Sequence, residues 1–266
     1  MQAVRSHLFN LAFYVSFTLW QLLSVLGYVI PRRLFMRSVQ AWCWSSLWLL
    51  RVICGTRVEF RGRENIPAGG CLVASKHQSV WETFALVAQF DDPSFILKRE
   101  LMWVPFFGWM AAKMRLIAID RGGGAAALVG MTRAAREEVA AGRQIVIFPE
   151  GTRRPAGAEP AYKFGVAHLY ETLNAPCLPV ALNSGLYWPR RSILRRRGTI
   201  VVEYLEPIPP GLSRTRFFRL LQDRIETASR RLHEDGMREL RALGELPPAP
   251  EPAEAATSPS GAAEQP

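Results

Sequence analysis

A histidine and a carboxylate five positions apart stand in Ser75-Lys76-His77-Gln78-Ser79-Val80-Trp81-Glu82-Thr83. An imidazole beside a carboxylate makes a general base: the carboxylate fixes the tautomer and stabilises the imidazolium that forms when a substrate hydroxyl loses its proton. On one continuous helix the two side chains would stand about 140° apart, so His77 has to lie in a loop for the pair to meet. Ser79 supplies the break, because as an N-cap it starts a helix that carries Glu82 on its first turn. The same residues also form a capping box, in which Glu82 does no more than accept from the backbone of Ser79. The residues alone leave these two readings even. His7, His168 and His233 have no such surroundings.

A second group of residues could hold an anion. Pro149-Glu150-Gly151-Thr152-Arg153 follows an apolar run. Gly151 permits close approach of the backbone to a ligand, and Arg153 offers a planar fork matched to phosphate oxygens. Taken alone, the segment serves equally as an ordinary strand-to-loop turn. Lys98 and Arg121 each end an expected strand, where open α/β sheets place their ligands, so both could point cations into one crevice. Gly122-Gly123-Gly124 lacks the Lys-Ser or Lys-Thr that completes a phosphate loop and reads as a turn.

These side chains need a scaffold, and the sequence after Gly55 supplies one. Cys71–Ser75, Ser94–Lys98, Leu116–Asp120, Gln144–Phe148, Leu178–Asn183 and Thr199–Leu205 read as strands, several apolar throughout and hence buried on both faces. Helical stretches at Ala125–Ala141, Lys163–Leu173 and Thr215 to about Glu234 alternate with them. The expected fold is therefore α/β, a mixed and largely parallel sheet flanked by helices.

Ahead of this domain lies an anchor. Leu8–Ile30 carries no charge and is long enough to cross a bilayer, or to re-enter it. Ser38–Leu50, with Trp42, Trp44 and Trp48, suits a helix lying in the interface. A hairpin of two buried helices is the soluble alternative. Arg32, Arg33 and Arg37 after the apolar run put the main domain on the cytoplasmic side of its membrane, expected to be the cell's inner membrane. Beyond Leu246, Pro, Ala, Glu and Ser dominate, a composition of disorder. The boundaries expected are thus 1–55 for the anchor, 56–243 for the α/β domain and 244–266 for the tail. The formal net charge of +10 calls for an anionic partner, and the crowding of aromatic residues into the anchor favours a lipid surface over nucleic acid. The four cysteines show no ligand-like spacing, which indicates neither a disulfide framework nor a zinc site.

In this order the segments resemble the glycerolipid acyltransferases, the family containing 1-acyl-glycerol-3-phosphate acyltransferase. His77 and Glu82 resemble its first block, with Glu where the family has Asp. Lys98-Arg99-Glu100-Leu101 through Ile119-Asp120-Arg121 resembles the second, Pro149 to Arg153 the third, and Leu178-Pro179-Val180-Ala181-Leu182-Asn183-Ser184-Gly185 the fourth. The resemblance covers about 58–209. It implies transfer of a fatty acyl group from a thioester of coenzyme A or acyl carrier protein to the sn-2 hydroxyl of lysophosphatidate, without a metal or tightly held cofactor. It assigns His77 and Glu82 to catalysis, and Lys98, Arg121, Glu150, Gly151, Thr152 and Arg153 to the phosphorylated acceptor. Two alternatives stay open: another lysolipid acceptor, such as a lyso-ornithine lipid, or an inactive membrane scaffold, motivated by the Glu-for-Asp exchange.

Overall fold

The alternation of short apolar runs with helical stretches builds one seven-stranded sheet. Its strands are β1 (Thr56–Arg61), β2 (Cys71–Ser75), β3 (Ser94–Lys98), β4 (Ile117–Ile119), β5 (Gln144–Ile147), β6 (Cys177–Leu182) and β7 (Gly198–Tyr204). Their order is β1-β7-β6-β2-β5-β3-β4, and every pairing is parallel except β6 with β7. The sheet is mixed and largely parallel, as the sequence indicates. This arrangement is that of a computed structural model, which describes residues 1–246.

In β2 and β6 every residue is buried, because both faces of the sheet are covered. Neighbours in β2 point to opposite faces, as the two-residue period of a strand requires. Cys71 and Val73 enter an apolar cluster with the N-terminal helices, and Leu72 and Ala74 enter a second cluster on the other face. Strand β1 is not among the expected ones. Only Val58 and Phe60 of its six residues are large and apolar, and Arg57, Glu59 and Arg61 alternate with them at the sheet's edge.

The helices are α1 (Gln2–Leu23), α2 (Arg32–Cys54), α3 (Trp81–Ala85), α4 (Phe107–Lys113), α5 (Gly124–Ala140), α6 (Gly165–Leu173), α7 (Ser184–Tyr187) and α8 (Arg214–Ala242). Helices α5, α6 and α8 cover one face, with Met131, Ala135, Val166, Leu169, Phe217, Leu221 and Ile225 in its apolar cluster. Helix α8 starts at Ser213, whose Oγ accepts from the amide of Arg216, and it extends past the expected end near Glu234. Gly236 lets it continue, since a Cβ there would lie 2.6 Å from a methyl of Leu186.

The other face is covered by α1, α2 and α3. The expected interfacial stretch Ser38–Leu50 is the middle of α2, 23 residues long. Counting uncharged residues understates this helix because it is amphipathic: Phe35, Val39, Cys43, Leu47, Leu50 and Cys54 are buried while Arg33, Arg37 and Arg51 face out. Gly55, at φ +74°, closes it, with its amide donating to the carbonyl of Arg51 at 3.0 Å. The expected span Leu8–Ile30 is α1 plus a 3₁₀ turn, Ser24–Val29, that leads back into α2. The stretch Gln2–Gly27 is apolar and long enough to cross a membrane, and only 17% of an apolar 18-residue window within it is buried.

Both ends of the hairpin are tied to the body. At one end the Gln2 side-chain amide donates to the carbonyls of Arg195 (2.7 Å) and Cys54 (3.1 Å), and that of Asn10 to Ile193 (2.8 Å). At the other, Lys113 Nζ donates to the carbonyl of Ile30 (2.8 Å) and Arg32 pairs with Asp92 (2.5 Å). Residues 247–266, most of the expected tail, lie outside the described residues. At its start, Glu245 donates its amide to Leu240 (2.8 Å) and Leu246 packs against the core.

Candidate active site

The co-directional strands β2, β3, β4, β5 and β6 all end at the same edge of the sheet and deliver there the four sequence segments that resemble family blocks, β3 and β4 carrying the two ends of the second. That is where an open α/β sheet binds ligands. His77 follows β2 in irregular chain, and α3 begins at Trp81 with Val80 at its N-cap, one residue later than the expected cap at Ser79.

The pair meets. Glu82 Oε1 lies 2.9 Å from His77 Nδ1 and also accepts the amides of Gln78 (2.6 Å) and Ser79 (2.7 Å). Oε2 accepts the hydroxyl of Ser184 at 2.7 Å. The oxygen that accepts the Ser79 amide of the capping box is thus the same oxygen that lies against the imidazole. The longer arm of Glu is taken up by curling back over the first turn. The Glu82 side chain is fully buried and that of His77 is 13% exposed. An ionised carboxylate only accepts, so Nδ1 carries the proton and Nε2 is left as the basic nitrogen. The ring stacks on Phe148 with centroids 3.9 Å apart. Phe148 packs against the cluster shared with α1 and α2, so the His77 ring lies on the side of the sheet that the hairpin covers.

The hairpin also holds α3, the helix that carries Glu82. Phe84 of α3 lies 5.5 Å from Phe13 of α1, 6.0 Å from Trp42 of α2 and 5.8 Å from Trp188 between ring centroids. Arg195 stacks on Trp188 at 4.2 Å and is 3% exposed. Burial pushes its guanidinium down to about 10. Of the basic run Arg190, Arg191 and Arg195 to Arg197, Arg195 is thus enclosed, and only Arg190, Arg191 and Arg197 are exposed.

The third segment divides its labour. Gly151 takes φ +66°, a left-handed turn that its lack of a side chain allows. Beyond it the amide of Arg154 donates to the carbonyl of His77 (2.9 Å), which joins this loop to the segment that follows β2. Thr152 is exposed. Arg153 is partly exposed, its guanidinium has no partner among the described residues, and its carbonyl accepts from Arg190 (2.9 Å). Glu150, by contrast, is turned inward and is 2% exposed, so it does not face an acceptor directly. Its Oε1 accepts from Lys76 (3.2 Å), whose ammonium also donates to Glu226 of α8 (2.7 Å). Tyr162 donates to the same Glu226 oxygen (2.8 Å), and burial, with that carboxylate beside it, pushes its phenol well up.

Lys98 and Arg121 are brought together, at a distance from His77. The register Phe95↔Val146↔Val73 sets Lys98 level with Lys76, two strands over, or about 10 Å at the usual strand spacing. Arg121 lies two residues beyond Ile119, the partner of Lys98. Both are exposed, and Lys98 is paired with Glu100 at 2.7 Å. Hydrogen bonding to Lys98, with the charges of Lys98 and Arg121, holds the Glu100 carboxyl below its usual range.

Sequence reasoning did not single out Lys76, Ser184 or Glu226. Lys76 carries a signal, a lysine that continues an apolar strand beside the histidine, and Ser184 lies in the quoted fourth segment. Glu226 carries none. A cavity of about 690 Å³ borders Lys76 and Gln78, between α8 and the loop at 157–160, and His77 is not among its walls. It lies under the loops that support the site.

Comparison with known proteins agrees with this geometry. Residues 57–183 match the acyltransferase family model. The chain is 43% identical over 204 residues to the 1-acyl-sn-glycerol-3-phosphate acyltransferase of Pseudomonas aeruginosa, covering 76% of this chain and 79% of that one. It is 33% identical over 162 residues to the coconut (Cocos nucifera) enzyme of the same name, a match over 60% of this chain and 52% of that protein. The crystal structure of the 1-acyl-sn-glycerophosphate acyltransferase of Thermotoga maritima superposes with a TM-score of 0.72 at 20% identity, over 87% of this chain and 99% of that one, which shows a shared fold. The segments are thus those of one lineage, and the chain belongs to the acyltransferase family that includes the 1-acyl-sn-glycerol-3-phosphate acyltransferases.

Proposed function

We propose that this chain is a membrane-bound 1-acylglycerol-3-phosphate O-acyltransferase, which moves a fatty acyl group from an acyl thioester to the sn-2 hydroxyl of lysophosphatidate and releases phosphatidate. The observation that carries this reading is the His77 imidazole, 13% exposed, held through Nδ1 by a buried carboxylate and stacked on Phe148 on the face covered by the apolar hairpin. Nε2 takes the proton of the acceptor hydroxyl as its oxygen attacks the thioester carbonyl, and Glu82 stabilises the imidazolium. The tetrahedral intermediate expels the thiolate, which receives that proton from Nε2. One ester bond forms, one thioester bond breaks, and His77 returns to its starting state without an acyl-enzyme.

Arg153, next to the Arg154 amide that holds the His77 carbonyl, supplies a cation for the acceptor's phosphate, and Lys98 and Arg121 supply a second pair at the same edge. Glu150 acts through Lys76 and the loop, as a positioning residue. The acyl donor is a thioester of coenzyme A or acyl carrier protein, and both are substrates of the same direct transfer.

The hairpin suits an enzyme whose acceptor stays in the bilayer. A helix of the length of α1 reaches about 33 Å, yet both ends of the hairpin are fastened to one body. This supports an anchor that lies along one leaflet in preference to one that crosses it. Arg32, Arg33 and Arg37 support a position on the cytoplasmic side of the inner membrane. The test is transfer from a labelled thioester with lysophosphatidate and lyso-ornithine lipid competing as acceptors. His77→Ala should lower turnover about 10²- to 10⁴-fold, and wild type should prefer lysophosphatidate. Equal use of both acceptors would reject the acceptor assignment, and an active His77→Ala variant would reject the base.

A further inference from the structure

The connection after β3 displays apolar side chains that no part of the fold requires to be outside. Trp103 is 70% exposed, Val104 45% and Leu101 41%. The display is built into the chain. Arg99–Trp103 is a 3₁₀ turn, the amide of Val104 donates to Leu101 (3.2 Å), and the amide of Gly108 donates back to Val104 (2.8 Å). Phe106 is held at φ +61°, an uncommon value for a bulky residue. Gly108 sits so close under the turn that a Cβ would lie 1.9 Å from the carbonyl oxygen of Met102. The turn therefore folds tightly on itself and holds the indole of Trp103 outward.

Two observations say what it meets. The first is continuity: α4, which follows this turn, packs on the 3₁₀ tip of the hairpin, and Lys113 hydrogen-bonds the carbonyl of Ile30 there. At that tip Leu22, Leu23, Leu26 and Val29 are more than half exposed. The second is charge: Arg99 lies 6.0 Å over the Trp103 ring, with Lys98 and the exposed Arg121 beside it, while Glu100 and Asp120 pair with Lys98 and Arg99. An outward indole with aliphatic neighbours and a cationic rim is the composition of a membrane interface.

The geometry points to the segment 99–104 as a second lipid-contact element, seated at headgroup depth in the leaflet that holds the hairpin. It rests on the membrane-bound reading above. Its partner is a bilayer surface with anionic headgroups, and the acceptor lipid leaves the leaflet between this turn and the hairpin, with its headgroup level with Lys98 and Arg121.

Site-directed probes test this. The four native cysteines are buried, so Trp103→Cys, Leu26→Cys and Arg216→Cys can each be labelled with an NBD fluorophore. The full chain is then reconstituted in phosphatidylcholine–phosphatidylglycerol bilayers that carry a nitroxide lipid. Probes at 26 and 103 should be quenched, with the effect at 103 at least about half that at 26, and the probe at 216 should not be. Quenching at 103 no greater than at 216 overturns the inference, and quenching that also fails at 26 rejects the membrane-bound reading itself. In parallel, Trp103→Ser/Val104→Ser should lower turnover of a bilayer-borne acceptor about tenfold and leave that of a water-soluble, short-chain acceptor unchanged. An equal loss on both acceptors would make the turn a structural support and overturn the lipid contact.

Discussion

Replacing Glu82 by Gln separates charge from shape at the centre of the site. The Gln carbonyl oxygen can keep the amides of Gln78 and Ser79, now at 2.6 and 2.7 Å, and the His77 N–H. Its amide nitrogen then faces Ser184 Oγ, whose hydroxyl rotates to accept. Every contact survives, and each loses about 1 kcal/mol of charge assistance. Relief from burying a charge in a fully enclosed position offsets most of that loss. The net destabilisation should be about 1 to 2 kcal/mol, a fall in Tm of about 3 to 6 °C for a domain of this size. The transition state is affected more strongly. A carboxylate close to an imidazolium contributes on the order of 4 kcal/mol at an effective dielectric constant of 20. Losing about 3 kcal/mol of it slows the reaction by about 10²-fold. The assay is thiol release from the acyl thioester at saturating lysophosphatidate, with thermal unfolding of the same samples. A folded Gln variant with wild-type kcat would leave Glu82 as a helix cap and refute the base pair. Glu82→Asp should fall between wild type and Gln, because it keeps the charge on an arm too short to serve both backbone amides and the imidazole.

Three further outcomes follow from the same geometry. Lys76→Met strands the Glu150 carboxylate, whose side chain is 1% exposed, and should cost about 3 to 5 kcal/mol of stability; Lys76→Met/Glu150→Gln should recover most of the Tm while kcat stays low, and recovery of both would end the positioning role. Arg153→Ala should raise KM for lysophosphatidate at least about tenfold, the worth of one charge-assisted hydrogen bond, with little change in KM for the thioester; equal shifts would remove Arg153 from the phosphate site. Burial raises the Asp92 carboxyl, but the hydrogen bond from Arg32 and the charge of Arg143 outweigh it and hold it below its ordinary 3.8. A carboxyl depressed on folding stabilises above its unfolded value and loses that contribution as pH falls through the folded one. Denaturant titrations should therefore show wild type losing its advantage over Asp92→Asn only below about pH 4, and a constant gap down to pH 2.5 would count against the ion pairs.

The chemistry of this site was legible in the sequence because it is carried by short segments: His77 with Glu82, the turn at Gly151, and strands whose unbroken apolar runs announce burial on both faces. Expected and observed bounds of β2 and β3 coincide for that reason. Edge strand β1 was hidden by its alternating charges, and α2 read as a short apolar stretch because its arginines lie on the outward face of a longer amphipathic helix. Whether Glu82 caps or catalyses could not be settled locally, since the same spacing serves both. The fold adds what the spacing cannot give: Ser184, 102 positions away, holds the second oxygen, and the first lies within 2.9 Å of the imidazole. Glu150 shows the converse: its segment suggests a ligand, yet the sheet order places it against Lys76 and Glu226, so that its carboxylate organises the site from beneath. Local sequence specifies which groups are present and the period on which they repeat. Which of them meet, and which face inward, depends on strand order and on the packing of α8 and the hairpin, contacts between residues far apart in the chain that only the tertiary structure sets.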